Sequence, residues 1–487
     1  MTASNGDEPA DVFAARRHKL EALRSAGIDP FPHEFDAVEP IGLVRSAHAQ
    51  LRPGEETEIR HRVAGRLVAR RGQGGMAFLD LMDRSGRIQL QARVDELGAE
   101  RMAALIDLDL GDLIGIDGFA FCSRRGELTL RVTDFTVLAK SLRPPPDKHH
   151  GLSDVETRFR HRELDLIASE DARELFLTRS RTIAAIRRYL DDHGFVEVET
   201  PILQPLYGGA SARPFTTHHN ALGRELYLRI ATELYLKRLI VGGLERVYEI
   251  GKNFRNEGVD TRHNPEFTVI EYYEAYADYV DVARRFEELM SYVADMVGYQ
   301  GPIDFHAPWR RETLAGAIQS RTGIDIRQLG SRASLADAMS TSGLAAPESD
   351  SWPQLVEELV SKHVEPTLTE PTLLLDFPIE LSPLAKRHRS EPGFVERFEA
   401  FVDGMEIANA FSELNDPDDQ RQRFEQQRAL AAGGDDEAQP YDEAFIEALE
   451  YGMPPTGGIG IGIDRLVMVL TGKRSIREVV LFPAMRD

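Results

Sequence analysis

The sequence predicts a multidomain α+β protein in which a small all-β barrel precedes a larger domain built on an antiparallel sheet flanked by helices. About five short runs of alternating apolar residues lie between Val63 and Leu138, a spacing typical of small barrels. Helices and strands of mixed order fill the remaining two-thirds, as in α+β domains. The length of 487 residues exceeds what one ordinary core accommodates, so more than one domain is expected.

The composition is that of a globular protein, with 42% hydrophobic and 28% charged residues. No stretch approaches the roughly 18 uninterrupted apolar residues that a membrane span needs, and Met1–Asp7 lacks the basic and apolar parts of a signal peptide. The single cysteine, Cys122, excludes an intramolecular disulfide and a Cys-rich zinc site. We therefore expect a cytoplasmic protein with no membrane association.

The formal net charge of -22 opposes indiscriminate binding to nucleic-acid phosphates. Any nucleic acid would have to be held by local basic patches. The candidates are Arg16, Arg17 and Lys19 near the start, and the pair Arg70 and Arg71. Taken alone, such a cluster is more often a solvated surface than a binding site.

The first part of the chain divides into an arm and a barrel. Residues 1–58 form the arm, which is rich in Pro, Gly and charge and contains a short helix with a basic face over 11–26. Residues 59–142 form the barrel, and an OB-fold is one of the few small barrels that fits. The runs that predict strands are Phe78–Met82, Ile88–Leu90, Leu113–Ile116 and Leu128–Val132, with turn signals at Gly72–Gly75 and Ser85–Gly86.

A domain boundary follows at three consecutive prolines, residues 144–146, which predict a linker over 143–160. In the domain over 161–487, Ala172–His193 has the spacing of an amphipathic helix, which Gly194 ends. The strand Phe195–Glu199 follows. Residues 306–365 look mainly helical and contain no candidate site residue, so we interpret them as an insertion.

The strongest candidate site is a hairpin with strands Arg246–Arg255 and Glu266–Tyr273 and the loop Gly258–Pro265. Because side chains alternate across a strand, one face collects an arginine, two carboxylates and two aromatic rings. These residues are Arg255, Glu257, Phe267, Glu271 and Tyr273. A solvent-facing polar sheet is the alternative, but aromatic rings among the charges disfavour it.

This hairpin is suited to a phosphorylated molecule with a planar ring. The Arg255 guanidinium can fork onto phosphate oxygens, and Phe267 can stack on a base. Arg262 and His263 in the loop can reach the outer phosphates.

A second hairpin is predicted from Glu396–Val402 and Met405–Asn409, because Asp403-Gly404 is a favourable two-residue turn. Pairing of the residues that flank this turn places Glu399 and Glu406 on one face as diagonal neighbours. Like charges that close repel, and Mg²⁺, which accepts one or two carboxylates plus substrate phosphates, would relieve the repulsion. Two exposed glutamates on a sheet surface are the alternative.

The third feature is a run of glycines at 457, 458, 460 and 462, followed by Asp464 and Arg465. Glycines at alternate positions leave one strand face bare, so that a flat ligand can lie against the backbone, and Arg465 could meet a phosphate or the ring. Tight sheet packing is the alternative explanation for the glycines.

Three segments, in order, resemble the signature motifs of class II aminoacyl-tRNA synthetases: "GFVEVETPI", then "FRNEG" with "RHNPEFT", then "GIGIGIDRLVM". An OB-fold ahead of such a domain is the arrangement of the subgroup that serves lysine, aspartate and asparagine. Within it, "YGGASARPF", "ELYLKRL", "EIANAFSELND" and "LFPAM" resemble the bacterial lysyl enzymes over nearly the whole chain.

The resemblance implies roles for particular residues. Arg255 would hold the α-phosphate and the lysine carboxylate, and with Arg465 it would be catalytic. The ATP site would consist of Arg255, Glu257, Arg262, His263, Phe267 and Arg465, and Glu399 and Glu406 would hold Mg²⁺. The lysine site would consist of Gly209, Glu233, Arg255, Glu271, Tyr273, Asn409, Phe411 and Glu413. In the barrel, an anticodon base would stack on Phe78, with Gln89 reading its edge and Arg70 or Arg71 contacting phosphate.

The charges of the implied pocket favour lysine. Glu233, Glu271 and Glu413 would converge on the substrate, and only a basic substrate could neutralise them on burial. One departure from the family pattern is Thr232, where proline is expected before Glu233. We expect it to alter the turn slightly and to leave the charges unaffected.

The resemblance therefore predicts an enzyme that activates L-lysine with ATP and Mg²⁺ and esterifies it to tRNA(Lys), working as a homodimer. An aspartyl or asparaginyl enzyme is one rival, disfavoured by Glu271 and Glu413. A lysine-activating relative that modifies a protein is another, but such relatives lack an anticodon barrel. A non-catalytic RNA-binding or regulatory protein is disfavoured by the intact arginines and glutamates of the site.

Overall fold

A computed structural model divides the chain into two compact units, residues 1–153 and 154–487. The structure describes residues 8–72, 74–146, 152, 154–347, 351–432 and 438–485. Residues 1–7, Gln73 of the predicted turn, and residues 147–151 and 153 of the predicted linker lie outside the described residues. Within the described part of the chain, no helix combines the length and apolar character needed to cross a bilayer.

The first unit contains the predicted barrel. Two helices precede it, α1 (Glu8–Ser25) and α2 (Ile41–Ala47). The strands are β1 (Glu56–Arg71), β2 (Met76–Asp83), β3 (Gly86–Arg93), β4 (Leu113–Cys122) and β5 (Leu128–Ala139), and α3 (Val94–Leu97) and α4 (Ala99–Asp107) connect β3 to β4. The five strands close in the order β1-β2-β3-β5-β4. The predicted all-β barrel is therefore confirmed, although β1 begins inside the region predicted as the arm.

Alternate side chains of these strands fill the barrel interior, as the strand period requires. Leu79 and Leu81 of β2, and Ile88 and Leu90 of β3, are fully buried there. The start of β1 escaped prediction because residues 56–62 carry mostly charged and polar side chains and no apolar alternation. Pairing with β4, and not local pattern, places them in the sheet.

The basic cluster near the start of the chain holds α1 onto this unit. Arg16 is only 8% exposed and donates to the carbonyl oxygens of Leu110 and Ser141 at 3.0 and 3.2 Å. The Lys19 Nζ lies 3.0 Å from Asp109 Oδ1. Both cations are thus engaged within the fold, which disfavours Arg16 and Lys19 as candidates for a nucleic-acid patch and also differs from a freely solvated surface. Arg17 remains exposed.

The second unit is built on an eight-stranded sheet in the order β12-β13-β14-β15-β16-β11-β10-β6, with a separate three-stranded sheet β7-β9-β8. The strands are β6 (Val196–Glu197), β7 (Leu203–Gln204), β8 (Thr216–His219), β9 (Arg224–Leu228), β10 (Arg246–Phe254), β11 (Glu266–Ala275), β12 (Arg310–Thr313), β13 (Thr372–Pro378), β14 (Phe394–Val402), β15 (Met405–Ser412) and β16 (Thr456–Gly462). The central strands, β13 to β10, pair antiparallel, as predicted, whereas each edge strand pairs parallel.

Helices cover the sheet. They are α5 (Val155–Arg160), α6 (Arg162–Ala168), α7 (Glu170–Asp192), α8 (Glu233–Val241), α9 (Tyr279–Val297), α10 (Leu314–Thr322), α11 (Arg332–Thr341), α12 (Trp352–Leu359), α13 (Pro417–Ala432), α14 (Glu443–Glu450), α15 (Ile463–Thr471) and α16 (Ile476–Val479). Apolar residues of α7, α9 and α15 form one core with Phe398 and Ile459 of the sheet. This core occupies one sheet face, which leaves the other face to form a cavity.

The predicted helix over 172–193 starts two residues early because the Ser169 hydroxyl caps it, accepting from the Ala172 amide. Gly194 ends it with φ of +76°, which only glycine adopts readily. The strand after it is shorter than predicted and covers Val196–Glu197 alone.

The region interpreted as a helical insertion differs from that prediction in one respect. Its three helices, α10 to α12, pack together in one apolar cluster with Phe377 and Phe401. However, it begins with β12, which extends the main sheet beside β13. The region is thus continuous with the sheet at its start.

Candidate active site

A cavity of about 380 Å³ lies over the open face of the sheet in the second unit. Every residue predicted for ATP or lysine lines it, as does Glu406. Glu399 does not line the cavity, and it lies behind Arg397, which does. The structure therefore brings together residues that the chain spreads from Gly209 to Arg465.

Two rows of side chains cross the sheet and form the cavity floor. In one row, Gly460 of β16 lies between Asn409 of β15 and Glu271 of β11. In the other, Gly458 lies between Phe411 and Tyr273. Gly460, in the middle of the first row, leaves a gap between the larger side chains, and this gap is part of the cavity.

The glycines of β16 do not all serve the same purpose. A Cβ at Gly458 would collide with Glu413 Oε1 and the Tyr273 ring, and one at Gly457 would collide with Val282 of α9. At Gly460 and Gly462 the nearest atoms would lie 3.6 and 3.9 Å away. Both explanations of the glycine run therefore apply. Tight packing accounts for glycines 457 and 458, and an open strand face accounts for glycines 460 and 462.

At one end of the cavity, cationic side chains surround an aromatic ring. The Arg255 guanidinium lies 5.1 Å from the centroid of Phe267, and its buried Nε has no hydrogen-bond acceptor among the described residues. Arg465 Nη1 donates to Glu406 Oε2 at 3.0 Å, and its Nη2 lies 3.3 Å from His263 Nε2. Glu257 and Arg262 are exposed on the rim.

An ion pair that sequence reasoning missed fixes the start of α15. Asp464 accepts from Arg179 Nη1 at 2.6 Å and from the Thr268 amide at 2.7 Å. Because Asp464 is held by α7 and β11 together, the next residue, Arg465, is directed into the cavity. The adjacency of Asp464 and Arg465 was visible in the sequence, but the partner Arg179 was not.

The second predicted hairpin is present with the expected turn pairing, Val402 with Met405 and Phe401 with Glu406. A β-bulge follows, in which Ile407 and Ala408 both oppose Ala400 and both face the apolar core. The bulge reverses the alternation of β15, so that Asn409 and Phe411 face the cavity beside Glu406. Without it, these residues would lie on opposite faces of the sheet.

The carboxylate of Glu399 is buried near the like charge of Glu406. Burial raises the pKa of Glu399 to about 8, and the nearby carboxylate of Glu406 adds to this, while Arg397, at 2.6 Å, opposes it. Among the residues that the structure describes, no group of three or more His, Cys, Asp or Glu is arranged to hold a metal ion. Two carboxylates on one face do fit the protein's share of a Mg²⁺ site whose other ligands are phosphates and water.

The insertion also reaches this cavity, contrary to our prediction that it contains no site residue. Glu357 of α12 lines the cavity. Burial and the charge of Glu406 raise the pKa of Glu365, and Arg262 and Arg465 oppose the rise. Sequence pattern gave no signal for either glutamate, because both lie in ordinary helical context.

At the other end of the cavity is an acidic pocket. Glu233, Glu271 and Glu413 are all buried, with 6%, 6% and 1% exposure. Glu271 accepts hydrogen bonds from the Thr232 amide and from the Tyr273 hydroxyl, each at 3.1 Å. Burial, with the charge of Glu233, raises the pKa of Glu271 to about 7.

The expectation that only a basic substrate could neutralise these glutamates is wrong. Lys237 of α8 is fully buried, with its Nζ 2.6 Å from Glu233 Oε1 and in contact with Glu413 Oε2. Its Nζ also lies 5.3 Å from the centroid of Phe411. The chain thus supplies one cation to this pocket itself.

The expectation that Thr232 leaves the charges unaffected stays a prediction, but the residue does contact one of the three glutamates. Its amide donates to Glu271, and the proline found at this position in the family pattern has no amide hydrogen to donate. Opposite it, Gly209 has φ of +87°, and a Cβ there would lie 3.0 Å from those of Ala231 and Glu233. The Asn409 side-chain oxygen accepts from Arg397 Nε at 3.0 Å.

In the first unit, three of the four residues predicted to bind an anticodon share the outer face of the barrel. Phe78 pairs with Arg71 across β1 and β2, and Gln89 lies on the neighbouring strand. Phe78 is half-buried and Arg71 exposed. Arg70 is engaged elsewhere, because its Nη1 donates to the carbonyl oxygens of Ile106 and Leu108 at the end of α4.

Comparison with known proteins agrees with this geometry. A family model described as "tRNA synthetases class II (D, K and N)" matches residues 154–486, and one described as "OB-fold nucleic acid binding domain" matches residues 61–138. The lysine–tRNA ligase of Moorella thermoacetica is 50% identical over 98% of both chains. Those of Chloroflexus aurantiacus and Bacillus subtilis are 51% and 49% identical, over 98% and 99% of both chains. The chain therefore belongs to the class II tRNA synthetases of the D, K and N group.

Proposed function

We propose that this chain activates L-lysine with ATP, releases pyrophosphate, and transfers the lysine to the 3′ end of tRNA(Lys) for translation. The acidic pocket is the observation that carries the proposal, because Glu233, Glu271 and Glu413 outnumber Lys237, the cation that forms ion pairs with them among the described residues. Burial of uncompensated carboxylates is costly, so the pocket favours a substrate that brings positive charge. Relatives of about half identity are named lysine–tRNA ligases, which supports this choice.

The chemistry requires positioning and charge stabilisation more than covalent participation. The lysine carboxylate attacks the α-phosphate in line, and Arg255, whose Nε is unpaired among the described residues, stabilises the negative charge that develops. Phe267 carries the adenine, Glu257 contacts its edge, and Arg262, His263 and Arg465 hold the outer phosphates that leave as pyrophosphate. A ribose hydroxyl of the tRNA then attacks the carbonyl carbon of the adenylate and loses its proton, the bond from that carbon to the phosphate oxygen breaks, and AMP leaves.

Glu399 and Glu406 would hold Mg²⁺ in this site. When bound, the ion neutralises phosphate charge and orients the phosphates for displacement. Arg397 holds Glu399 at 2.6 Å and Asn409 at 3.0 Å, and so links the carboxylate pair to the lysine pocket. Arg465 holds Glu406 from the opposite side.

The barrel would bind the anticodon of tRNA(Lys). Phe78 offers a ring on the outer face for base stacking, Gln89 offers an amide for a base edge, and Arg71 is exposed for phosphate. We do not retain Arg70 in this role, because it caps α4.

We further propose that the protein works as a homodimer in the cytoplasm. The segment that resembles the dimer-interface motif exposes two apolar side chains, Val196 and Ile202, by 51% and 45%, and the next residue, Leu203, is 46% exposed. Exposed apolar side chains of this kind are suited to a symmetric contact with a second copy. Light scattering on the purified protein would give the mass directly.

Charging of purified tRNA with labelled lysine, in the presence of ATP and Mg²⁺, tests the proposal. Label that becomes acid-precipitable, and is released by mild base as expected for an ester, would support it. Charging with aspartate or asparagine in place of lysine would contradict it, because the first adds a like charge to the pocket and the second brings no side-chain cation.

A further inference from the structure

We propose that Lys237 is a positioning residue that sets the charge of the amino-acid pocket, so that the pocket is matched to an amino acid with two ammonium groups. The inference rests on the function proposed above, because it concerns the same substrate. Lys237 lies on α8, one turn after Glu233, and is not among the residues predicted to contact lysine.

Lys237 acts from behind the pocket wall. Its Nζ lies 2.6 Å from Glu233 Oε1 and contacts Glu413 Oε2, and it faces the Phe411 ring at 5.3 Å. These three neighbours line the cavity, whereas Lys237 does not. A substrate would therefore meet the two carboxylates and not the ammonium that holds them.

The charge count gives the reason for such a residue. When all are ionised, three glutamates and Lys237 leave two net negative charges. Lysine brings an α-ammonium and an ε-ammonium, and its carboxylate faces Arg255 at the nucleotide end. With Lys237 the two sets of charge balance, and without it one buried carboxylate has no counter-charge, which is costly.

The charged and titratable groups around Lys237 come from four places: Glu233 on α8, Glu271 and Tyr273 on β11, Arg397 on β14, and Glu413 after β15. Burial opposes the charge of Lys237, but Glu233 and Glu413 together hold its pKa above the ordinary value. Burial raises the pKa of Glu413, and Lys237 opposes that rise. Removal of Lys237 therefore lets Glu413 take up a proton at a higher pH.

The competing explanation is that this ion pair only packs α8 against the sheet. A packing role would affect stability and the binding of ATP and lysine alike, with no dependence on pH. A charge-setting role would affect lysine selectively and more strongly at low pH. The two explanations are separable by kinetics.

The first experiment compares Lys237→Met with Arg238→Met in lysine-dependent exchange of labelled pyrophosphate into ATP. Arg238 is the next residue of the same helix, is exposed, and lies 5.5 Å from the Tyr235 ring, so its substitution removes the same charge outside the pocket. We expect Lys237→Met to raise the KM for lysine by about tenfold or more at pH 7 and to shift the acid limb of kcat/KM to higher pH. The KM for ATP should stay within about twofold, and Arg238→Met should resemble the unaltered protein.

The second experiment adds Glu233→Gln, alone and together with Lys237→Met. Glu233→Gln alone leaves the pocket with one net negative charge, and the double variant restores two. We therefore expect the double variant to have a higher kcat/KM for lysine than either single variant, because its charges again match the substrate. If Lys237→Met alone fails to fold, the comparison of the double variant with Glu233→Gln still tests the inference, because the double variant removes Lys237 together with one of its two carboxylate partners.

Additive losses in the double variant, or an unshifted pH profile in Lys237→Met, would overturn the inference while leaving the proposed function intact. Failure of the unaltered protein to exchange pyrophosphate with lysine would instead overturn the proposed function. The two failures are therefore distinguishable within one assay.

Discussion

Replacement of Thr232 by proline should weaken lysine binding in a pH-dependent manner. The Thr232 amide donates to Glu271 at 3.1 Å, and proline removes that donor. A hydrogen bond to a charged acceptor contributes about 1.5–3 kcal/mol, so the pKa of Glu271 should rise by about one to two pH units. Because the pKa of Glu271 is about 7, the carboxylate is about half ionised at pH 7 before the change.

After the change, about one-tenth to one-hundredth of the molecules carry the ionised carboxylate at pH 7, so the KM for lysine should rise about fivefold to fiftyfold. The sign follows from the raised pKa: the binding-competent form is lost as pH falls, and it returns as pH rises. By pH 9 the KM should approach that of the unaltered protein.

Lysine-dependent pyrophosphate exchange between pH 6 and 9, with Thr232→Ala as the matched control, would measure this effect. Alanine keeps the amide and loses the hydroxyl, a group that also lowers the pKa of Glu271, so the difference between the two variants isolates the contribution of the amide. The φ of Thr232 is -98°, so proline also requires a backbone shift of about 30°. Such a shift would act equally at every pH. An identical lysine KM for both variants, or a loss that does not recover at high pH, would refute the reasoning.

Three further predictions concern the pocket floor and the barrel. Glu413→Gln should raise the KM for lysine by about thirtyfold or more and spare the KM for ATP, as measured by pyrophosphate exchange; equal losses would remove Glu413 from the lysine site. Gly458→Ala should lower the free energy of unfolding by about 1–3 kcal/mol and reduce pyrophosphate exchange, because the added methyl group would collide with Glu413 and Tyr273. Gly330→Ala, whose methyl group would meet open space, is the control and should change neither thermal unfolding nor exchange. Phe78→Ala should lower tRNA charging about tenfold, as loss of one stacked base implies, and leave pyrophosphate exchange unchanged; a parallel fall in both would contradict the division of labour between the units.

The parts of the site that sequence predicts are those that local rules govern. Alternation along strands, with a two-residue turn at Asp403-Gly404, places Glu399 and Glu406 in one hairpin. The glycine run predicts a bare strand face. Neither rule predicts the bulge at Ile407, although two adjacent apolar residues, Ile407 and Ala408, break the alternation and are a signal that could have revealed it.

The parts that sequence does not predict depend on contacts between distant segments. Arg16 and Arg70 resemble nucleic-acid ligands in sequence, but backbone carbonyls about a helix end take up their hydrogen bonds. The hydrogen bond from the Thr232 backbone amide to Glu271 cannot be predicted from a pattern of side chains. The ion pair of Lys237 was easier to predict, because Lys237 follows Glu233 by four residues on a helix, a spacing that brings two such side chains together.

Exchange of labelled pyrophosphate into ATP, measured with each of the twenty amino acids separately, tests the central claim most directly. An acidic pocket with one internal cation predicts exchange with lysine alone. Exchange with aspartate or asparagine would contradict the charge assignment of Glu233, Glu271 and Glu413, and exchange with no amino acid would contradict the assignment of an adenylation site to this cavity.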